Sequence, residues 1–177
     1  LGVQDLLMSY FMFPENFTDE QLNLPESGNG VPDILDEARW GVEVWRQAQK
    51  SSGGVGTWIE ASSHPDEYDP GADEQPYYLS LATRNSSLEY ARYAAMLGRA
   101  LTMAGAIDEG LLYIESAQDA YAFGTDPDVR VSTSWETETG IHTWTEPPEP
   151  DAERRLWALV ELWLATGESH FWDELET

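Results

Sequence analysis

Apolar residues recur at helical spacing from the first residues of the chain: Val3, Leu6, Leu7, Tyr10 and Phe11 fall on one face of a helix. A loop rich in Asn, Pro, Gly and Ser follows, and Pro32 then favours the first turn of a second helix running to about Lys50. Its inner stripe is Ile34, Leu35, Ala38, Val42 and Trp45, and the pair Gly53-Gly54 stops it. A third helix is predicted over 86 to 104, with Ser86 and Glu89 as a capping box and Gly105 just past its end. Its seam of Ala91, Ala94, Ala95 and Gly98 carries so little bulk that another helix can approach closely. Asp108 is the expected cap of a fourth helix ending near Gly124. Asp151 is the expected cap of a fifth, ending at Thr166 before Gly167, with Leu156, Trp157, Val160, Trp163 and Leu164 as its apolar side. A short helical turn closes the chain. Between these helices lie two long connections, 51 to 84 with a short strand expected over 55 to 61, and 125 to 150, read as loop. The pattern is all-α: helical hairpins joined alternately by short turns and long loops. A tetratricopeptide-like solenoid needs similar turns at a fixed repeat, which this alternation lacks.

Composition narrows the setting. With 177 residues, 41% of them apolar, the chain has enough material for one core. No apolar run reaches the roughly 18 to 20 residues of a membrane span. The net charge of −24 repels phosphate backbones, so nucleic acid is not an expected partner. The absence of cysteine removes disulfides and thiolate chemistry. His64, His142 and His170 are scattered, so no transition-metal triad is expected.

One stretch carries far more information than its periodicity. Residues 22 to 45 read LNLPESGNGVPDILDEARWGVEVW, which closely resembles the signature of glycoside hydrolase family 9: a loop L-N-I-P-E-S-G-N-G followed by a helix P-D-L-L-D-E-A-R-W-G. Ser52-Gly53-Gly54-Val55 and the later ALVELWLATG at 158 to 167 follow in the order that family requires. The resemblance implies part of an (α/α)6 barrel, twelve helices in two rings, with a cleft at the end where the long loops gather. The whole of 1 to 177 would then be a partial catalytic domain, truncated at both ends, whose partner is the rest of its own domain. The implied activity is hydrolysis of β-1,4-glucans such as cellulose with inversion, and the implied setting is extracellular or at the cell surface. Inversion needs two carboxyl groups roughly 6.5 to 9.5 Å apart, one acid and one base.

The resemblance places that carboxyl pair outside this chain. The family's base aspartates lie in a D-A-G-D motif ahead of the P-E-S-G-N-G loop, and its acid glutamate lies well after the A-T-G helix. No catalytic residue is therefore expected within 1 to 177. The internal run Asp69-Pro70-Gly71-Ala72-Asp73-Glu74 has similar letters in the wrong order along the chain and reads as a solvated turn. Asp36, Glu37, Arg39 and Trp40 read as bracing, with Arg39 and Glu43 spaced for an ion pair. The candidates for sugar contact are the loop tryptophans Trp58, Trp135 and Trp144, whose indoles suit stacking against pyranose faces. His64, Tyr77 and Tyr78 are lesser ones. Many relatives read G-G-V-Y-H-K-V where this chain has Gly53-Gly54-Val55-Gly56-Thr57-Trp58-Ile59, so Thr57 replaces the usual histidine and the usual substrate preference does not carry over. Some members bind calcium through an Asp-Glu pair before the A-T-G helix. Here that pair is Glu153-Arg154, and an arginine argues against a hard cation. No cofactor is expected. The alternative to a hydrolase fragment is a non-catalytic glycan-binding or scaffold module.

Overall fold

A computed structural model describes residues 2–61, 73–129, 131–137 and 140–176, with the backbone alone for Trp135, Glu136 and Thr137. The helices are α1 (Gly2–Met12), α2 (Asp33–Ala48), α3 (Arg84–Met103), α4 (Ile107–Thr125), α5 (Ala152–Thr166) and α6 (Ser169–Leu175). Four short strands accompany them: β1 (Ile59–Ala61), β2 (Tyr77–Leu79), β3 (Ser132–Thr137) and β4 (Gly140–Thr145).

The helices form three antiparallel pairs, α1 with α2, α3 with α4, and α5 with α6. The odd-numbered members run parallel in one layer around α3. Arg99 of α3 lies 3.8 Å over the Phe11 ring near the end of α1 and bonds Glu161 of α5 at 3.0 Å. At the other end, Asp151 ahead of α5 donates its N–H to Asn85 of α3 at 2.7 Å. This is the arrangement expected of part of a double ring.

The small-residue seam does what its lack of bulk suggested. Ala91, Ala94 and Ala95 are fully buried, and a side chain at Gly98 would meet the Gly110 carbonyl oxygen at 2.6 Å and Ile114 Cγ1 at 2.7 Å. The buried stripe of α2 is Ile34, Leu35, Ala38 and Val42, with Trp45 half-buried against the core.

Several local expectations are corrected. The cap of α3 is Thr83, three residues earlier than Ser86. Thr83 is extended, and Ser86 occupies the N3 place and returns a bond to the Thr83 N–H. The amides of Arg84 and Asn85 that this exposes are taken by Glu146, so the extra turn can be buried. Asp108 does not cap α4. The helix leaves the tight turn at Gly105 (φ +95°) directly, starting at Ile107 with no side-chain cap. Asp151 does cap α5, accepting from the Arg154 N–H at 3.0 Å, and Gly167 ends it at φ +69°. The buried face of α5 is Ala158, Leu159, Glu161 and Leu162, whereas Leu156, Trp157 and Leu164 are 51, 42 and 44% exposed. Small Ala158 and the leucines beside it are what fits against α3, and that turns the bulkier side outward. Trp157, expected in the core, lies instead beneath the Arg92 guanidinium at 4.7 Å.

Arg39 pairs with Asp36 at 2.5 Å and with Glu109 of α4 at 2.7 Å, not with Glu43. Glu43 instead binds Arg46 at 2.7 Å and the Tyr113 hydroxyl at 2.6 Å. The reason is reach: Arg39 bridges to the neighbouring helix, and Glu43 is left facing Arg46. The strand expected over 55 to 61 shortens to β1 and pairs antiparallel with β2. The second long connection, expected as loop, contains the hairpin β3–β4, paired from Ser132 opposite Thr145 to Thr137 opposite Gly140. His64 and residues 69 to 72 of the acidic run lie outside the described residues.

Candidate functional site

The starts of α1, α3 and α5 gather at one end of the fold, and both β hairpins join the body there. The first turn of α3 is the hub. Ser86 Oγ donates to the Val55 carbonyl at 2.6 Å, and the Val55 N–H donates to Ser87 Oγ at 2.9 Å, which clamps the 53–56 loop. Gly53 must be glycine: its φ is +89°, and a Cβ there would sit 2.2 Å from the Asp119 carbonyl oxygen. Beneath the loop, Gln49 donates to the Gly53 carbonyl at 2.9 Å and accepts from Ser116 Oγ at 2.6 Å. Ser116 in turn meets the Tyr90 hydroxyl at 2.6 Å. Burial pushes the Tyr90 phenol up to about 12, so it stays a neutral partner in this chain of bonds.

The signature loop is held by three carboxylates, of which only Asp36 was read from the sequence as bracing. Asp19 accepts from the N–H groups of Gly28 and Gly30 at 2.7 and 2.6 Å, and these two bonds hold its carboxyl below the ordinary range. Asp33, fully buried, accepts from Glu20, Leu22 and Ser27. Asp36 accepts from Asn29 at 3.0 Å and from Arg39. Burial outweighs those bonds and leaves the Asp36 carboxyl above its usual value. Asp19 and Asp33 use both oxygens on the loop, whereas Asp36 uses Oδ1 alone, its buried Oδ2 having no hydrogen-bond partner among the described residues.

An open cavity of about 450 Å³ lies between the start of α1, the middle of α2 and the first turns of α3. Trp45, Tyr90 and Tyr93 give it aromatic walls, and Thr57, Asn85 and Glu89 give it a polar rim. A second space of about 300 Å³ adjoins it, lined by Gln4, Arg92 and Trp157 and sharing Tyr93, Glu89 and Arg154. Aromatic walls with a few polar edges suit a sugar, which offers apolar ring faces and hydroxyl rims.

Of the expected contact residues, Trp58 is half exposed just before β1, its N–H and carbonyl both bonded to Ser80. Trp144 is 41% exposed on β4, opposite Thr133. Trp135 lies on β3 opposite His142 in register. Trp58 and Trp144 therefore stand on two separate hairpins joined through α3, and among the described residues no ring contact links them. Tyr77 and Tyr78 are exposed on β2. Tyr90, Tyr93 and Trp45 were not singled out by the sequence reading, because each fits equally well as the core residue of a helix. Their place on the cavity depends on how α1, α2 and α3 meet.

The acids at the cavity are not set for an acid/base pair. Glu89 and Asp151 both bind Arg154, at 3.1 and 3.4 Å, and all three are well exposed. A general acid has to offer its proton to the leaving oxygen, and both carboxylates here are engaged with one guanidinium instead. The same geometry does not fit calcium, since Arg154 puts positive charge between the oxygen ligands a cation would want. Among the described residues no group of three His, Asp or Glu side chains is placed to hold a metal.

A family profile described as "Glycosyl hydrolase family 9" matches residues 1–177. Among curated relatives, a cellulose 1,4-beta-cellobiosidase of Acetivibrio thermocellus is 32% identical over 91 residues, covering 47% of this chain and 10% of that protein. Endoglucanase C of Cellulomonas fimi is 27% identical over 160 residues, covering 86% of this chain and 14% of its own. Endoglucanase D of A. thermocellus is 24% identical over 176 residues, covering 95% and 27%. Among solved structures, a metagenome-derived family 9 endoglucanase superposes with a TM-score of 0.79 at 29% identity, covering 99% of this chain and 31% of that one. A family 9 protein of Bacteroides ovatus superposes at 0.76 with 19% identity, covering 99% and 33%. The chain thus spans about a quarter or less of the curated relatives and about a third of the solved ones. Its helical layers are part of the (α/α)6 barrel. Because that profile matches residues 1–177, this chain belongs to glycosyl hydrolase family 9.

Proposed function

We propose that the protein carrying this chain hydrolyses β-1,4-linked glucans of the cellulose type with inversion, and that this segment supplies one wall of the cleft. The observation that carries this is the aromatic-walled cavity at the shared start of α1, α3 and α5, built on the family's own loop and helix. The curated relatives include cellulases by name, which supports the substrate class. The acid and base carboxyls lie on parts of the domain outside residues 1 to 177, in keeping with the Arg154-neutralised acids found here. The rest of the domain covers the apolar side chains that α5 leaves exposed. Secretion or cell-surface display follows from the insoluble nature of such a substrate, and among the described residues no helix is long and apolar enough to cross a membrane.

The test uses the whole protein. Release of reducing ends from a soluble β-glucan is followed alongside the anomeric configuration of the first product, read by proton NMR. Hydrolysis with an inverted product supports the reading, and a retained configuration or no hydrolysis sinks it. Trp58→Ala and Trp144→Ala should each raise KM about three- to ten-fold, the loss of one ring contact worth ~0.5–1.5 kcal/mol. Binding of β-glucan without hydrolysis would favour the second reading, a non-catalytic glycan-binding module, which the absence of an acid/base setting around Glu89 and Asp151 makes specific.

A further inference from the structure

The hairpin β3–β4 stands away from the helices. Every residue of it whose side chain is described is exposed, and its buried positions are at the stem, Val131 and Glu146. The stem is closed by the Glu146 N–H on the Val131 carbonyl at 2.9 Å. Glu146 then turns its carboxylate inward, where it is 5% exposed. One oxygen accepts from the Asn85 N–H at 3.1 Å. The other accepts from the Arg84 N–H at 3.2 Å and lies 3.5 Å from the Arg84 guanidinium. Arg84, 2% exposed, reaches past it to the Pro147 carbonyl. Asn85 completes the knot by accepting from the Asp151 N–H, the first residue of the α5 cap.

A buried ion pair is a poor device for stability, since apolar residues of the same volume serve as well or better, but it fixes direction. Here it ties a hairpin carrying Trp144 to the helix whose next two turns bear Glu89, Tyr90 and Tyr93. We propose that Glu146 is a positioning residue. By closing on the first amides of α3 and on Arg84, it holds the hairpin beside the cavity and sets how tightly an extended glucan is bound, leaving bond cleavage to other groups. This rests on the glucan-hydrolase reading above. It adds that the hairpin is a specificity element for long chains and that its anchor is a residue that touches no sugar.

The experiment compares wild type with Glu146→Gln in the whole protein. The substrates are a long soluble β-glucan and a short chromogenic cello-oligosaccharide, and amide hydrogen exchange across 132 to 145 is measured without substrate. Gln keeps the size but places an NH₂ group against amide donors, so the knot opens. The expected result is a KM for the long glucan raised about five-fold, kcat and the short-substrate constants within two-fold of wild type, and hairpin exchange at least ten-fold faster. Equal loss of kcat on both substrates, or unchanged hairpin exchange with unchanged KM, overturns the proposal. Should Glu146→Gln fold poorly, replacing 132 to 145 by a short Gly-rich turn with Val131 and Glu146 kept must give the same long-substrate defect, and its absence overturns the proposal equally. A wild type inactive on both substrates defeats the hydrolase reading, and the exchange measurement then still decides whether Glu146 holds the hairpin.

Discussion

Helices α3 and α5 lie in the same layer, run in the same direction and start at the same end, yet they are buried very differently. Twelve of the 20 residues of α3 are buried, against four of the 15 of α5. The cause is the number of neighbours. α3 is packed by α1, α2, α4 and α5, whereas α5 meets α3, α4 and α6 and leaves Leu156, Trp157 and Leu164 largely open. α3 is surrounded by four helices, and α5 keeps one face open among the described residues. On the function proposed above, this difference marks the open face of α5 as the seam that further helices of the barrel would cover.

The sharpest way to break the comparison is to attack α3 where it has no slack. In Gly98→Leu the first added carbon meets backbone of α4 at 2.6 Å, and neither helix can yield without opening the seam. A loss of more than about 3 kcal/mol is expected from denaturant unfolding of the whole protein. A loss under about 1 kcal/mol would mean that α3 and α4 are not held this closely.

Next in size is a pair of leucines on α5. Leu162 is fully buried, and its replacement by alanine should cost about 3 kcal/mol. Leu156 is 51% exposed in this segment, which by itself predicts a small effect. If the open face of α5 is covered by the rest of the domain, Leu156→Ala in the whole protein costs about 2 kcal/mol. A cost below about 0.5 kcal/mol would show that face to be free surface and would remove the seam inferred above.

The same contrast explains what the sequence made legible. The ends of α5 were readable because Asp151 and Gly167 act on their own backbone. The α3 seam was readable because absence of bulk has one structural use. The buried side of α5 was legible only in part: Trp163 of the expected stripe does pack half-buried against the core, but Leu156, Trp157 and Leu164 face outward, and only the shape of α3 favours Ala158, Leu159 and Leu162 over them. The cap of α3 was missed for a related reason. Thr83 can cap there because Glu146, 63 residues later, satisfies Arg84 and Asn85. The hairpin β3–β4 did carry a local signal, Thr, Trp and Ile alternating with polar residues around Gly140, which the Pro-rich flank at 147 to 150 masked. Trp58 and Trp144 were picked out as loop indoles, and both are exposed on the hairpins without lining the cavity. Tyr90, Tyr93 and Trp45 became visible only once three helices were in place.

The smallest effects come from pH, and they too separate the two helices. On α3, burial raises Tyr90 to about 12 from an ordinary value of 10.0. The neutral phenol therefore contributes fully below about pH 10, and stability falls by about 2 kcal/mol as the pH rises toward 12. Tyr90→Phe should flatten that alkaline limb. Where α6 closes on α5, burial would raise Glu174 of α6, but the Tyr121 hydroxyl and Arg155 of α5 outweigh it and leave the carboxyl below its ordinary value of 4.5. A lowered acid contributes above its unfolded pKa and is lost as the pH falls through the folded one, so Glu174 adds to the acid limb below about pH 4.5. Arg155 is 46% exposed, which screens the pair, so Glu174→Gln should reduce stability at neutral pH by about 0.5 kcal/mol and slightly flatten the acid limb. Thermal melts across pH 3 to 11 check both, and an acid effect of Glu174 larger than the alkaline effect of Tyr90 would reverse the ranking of the two helices.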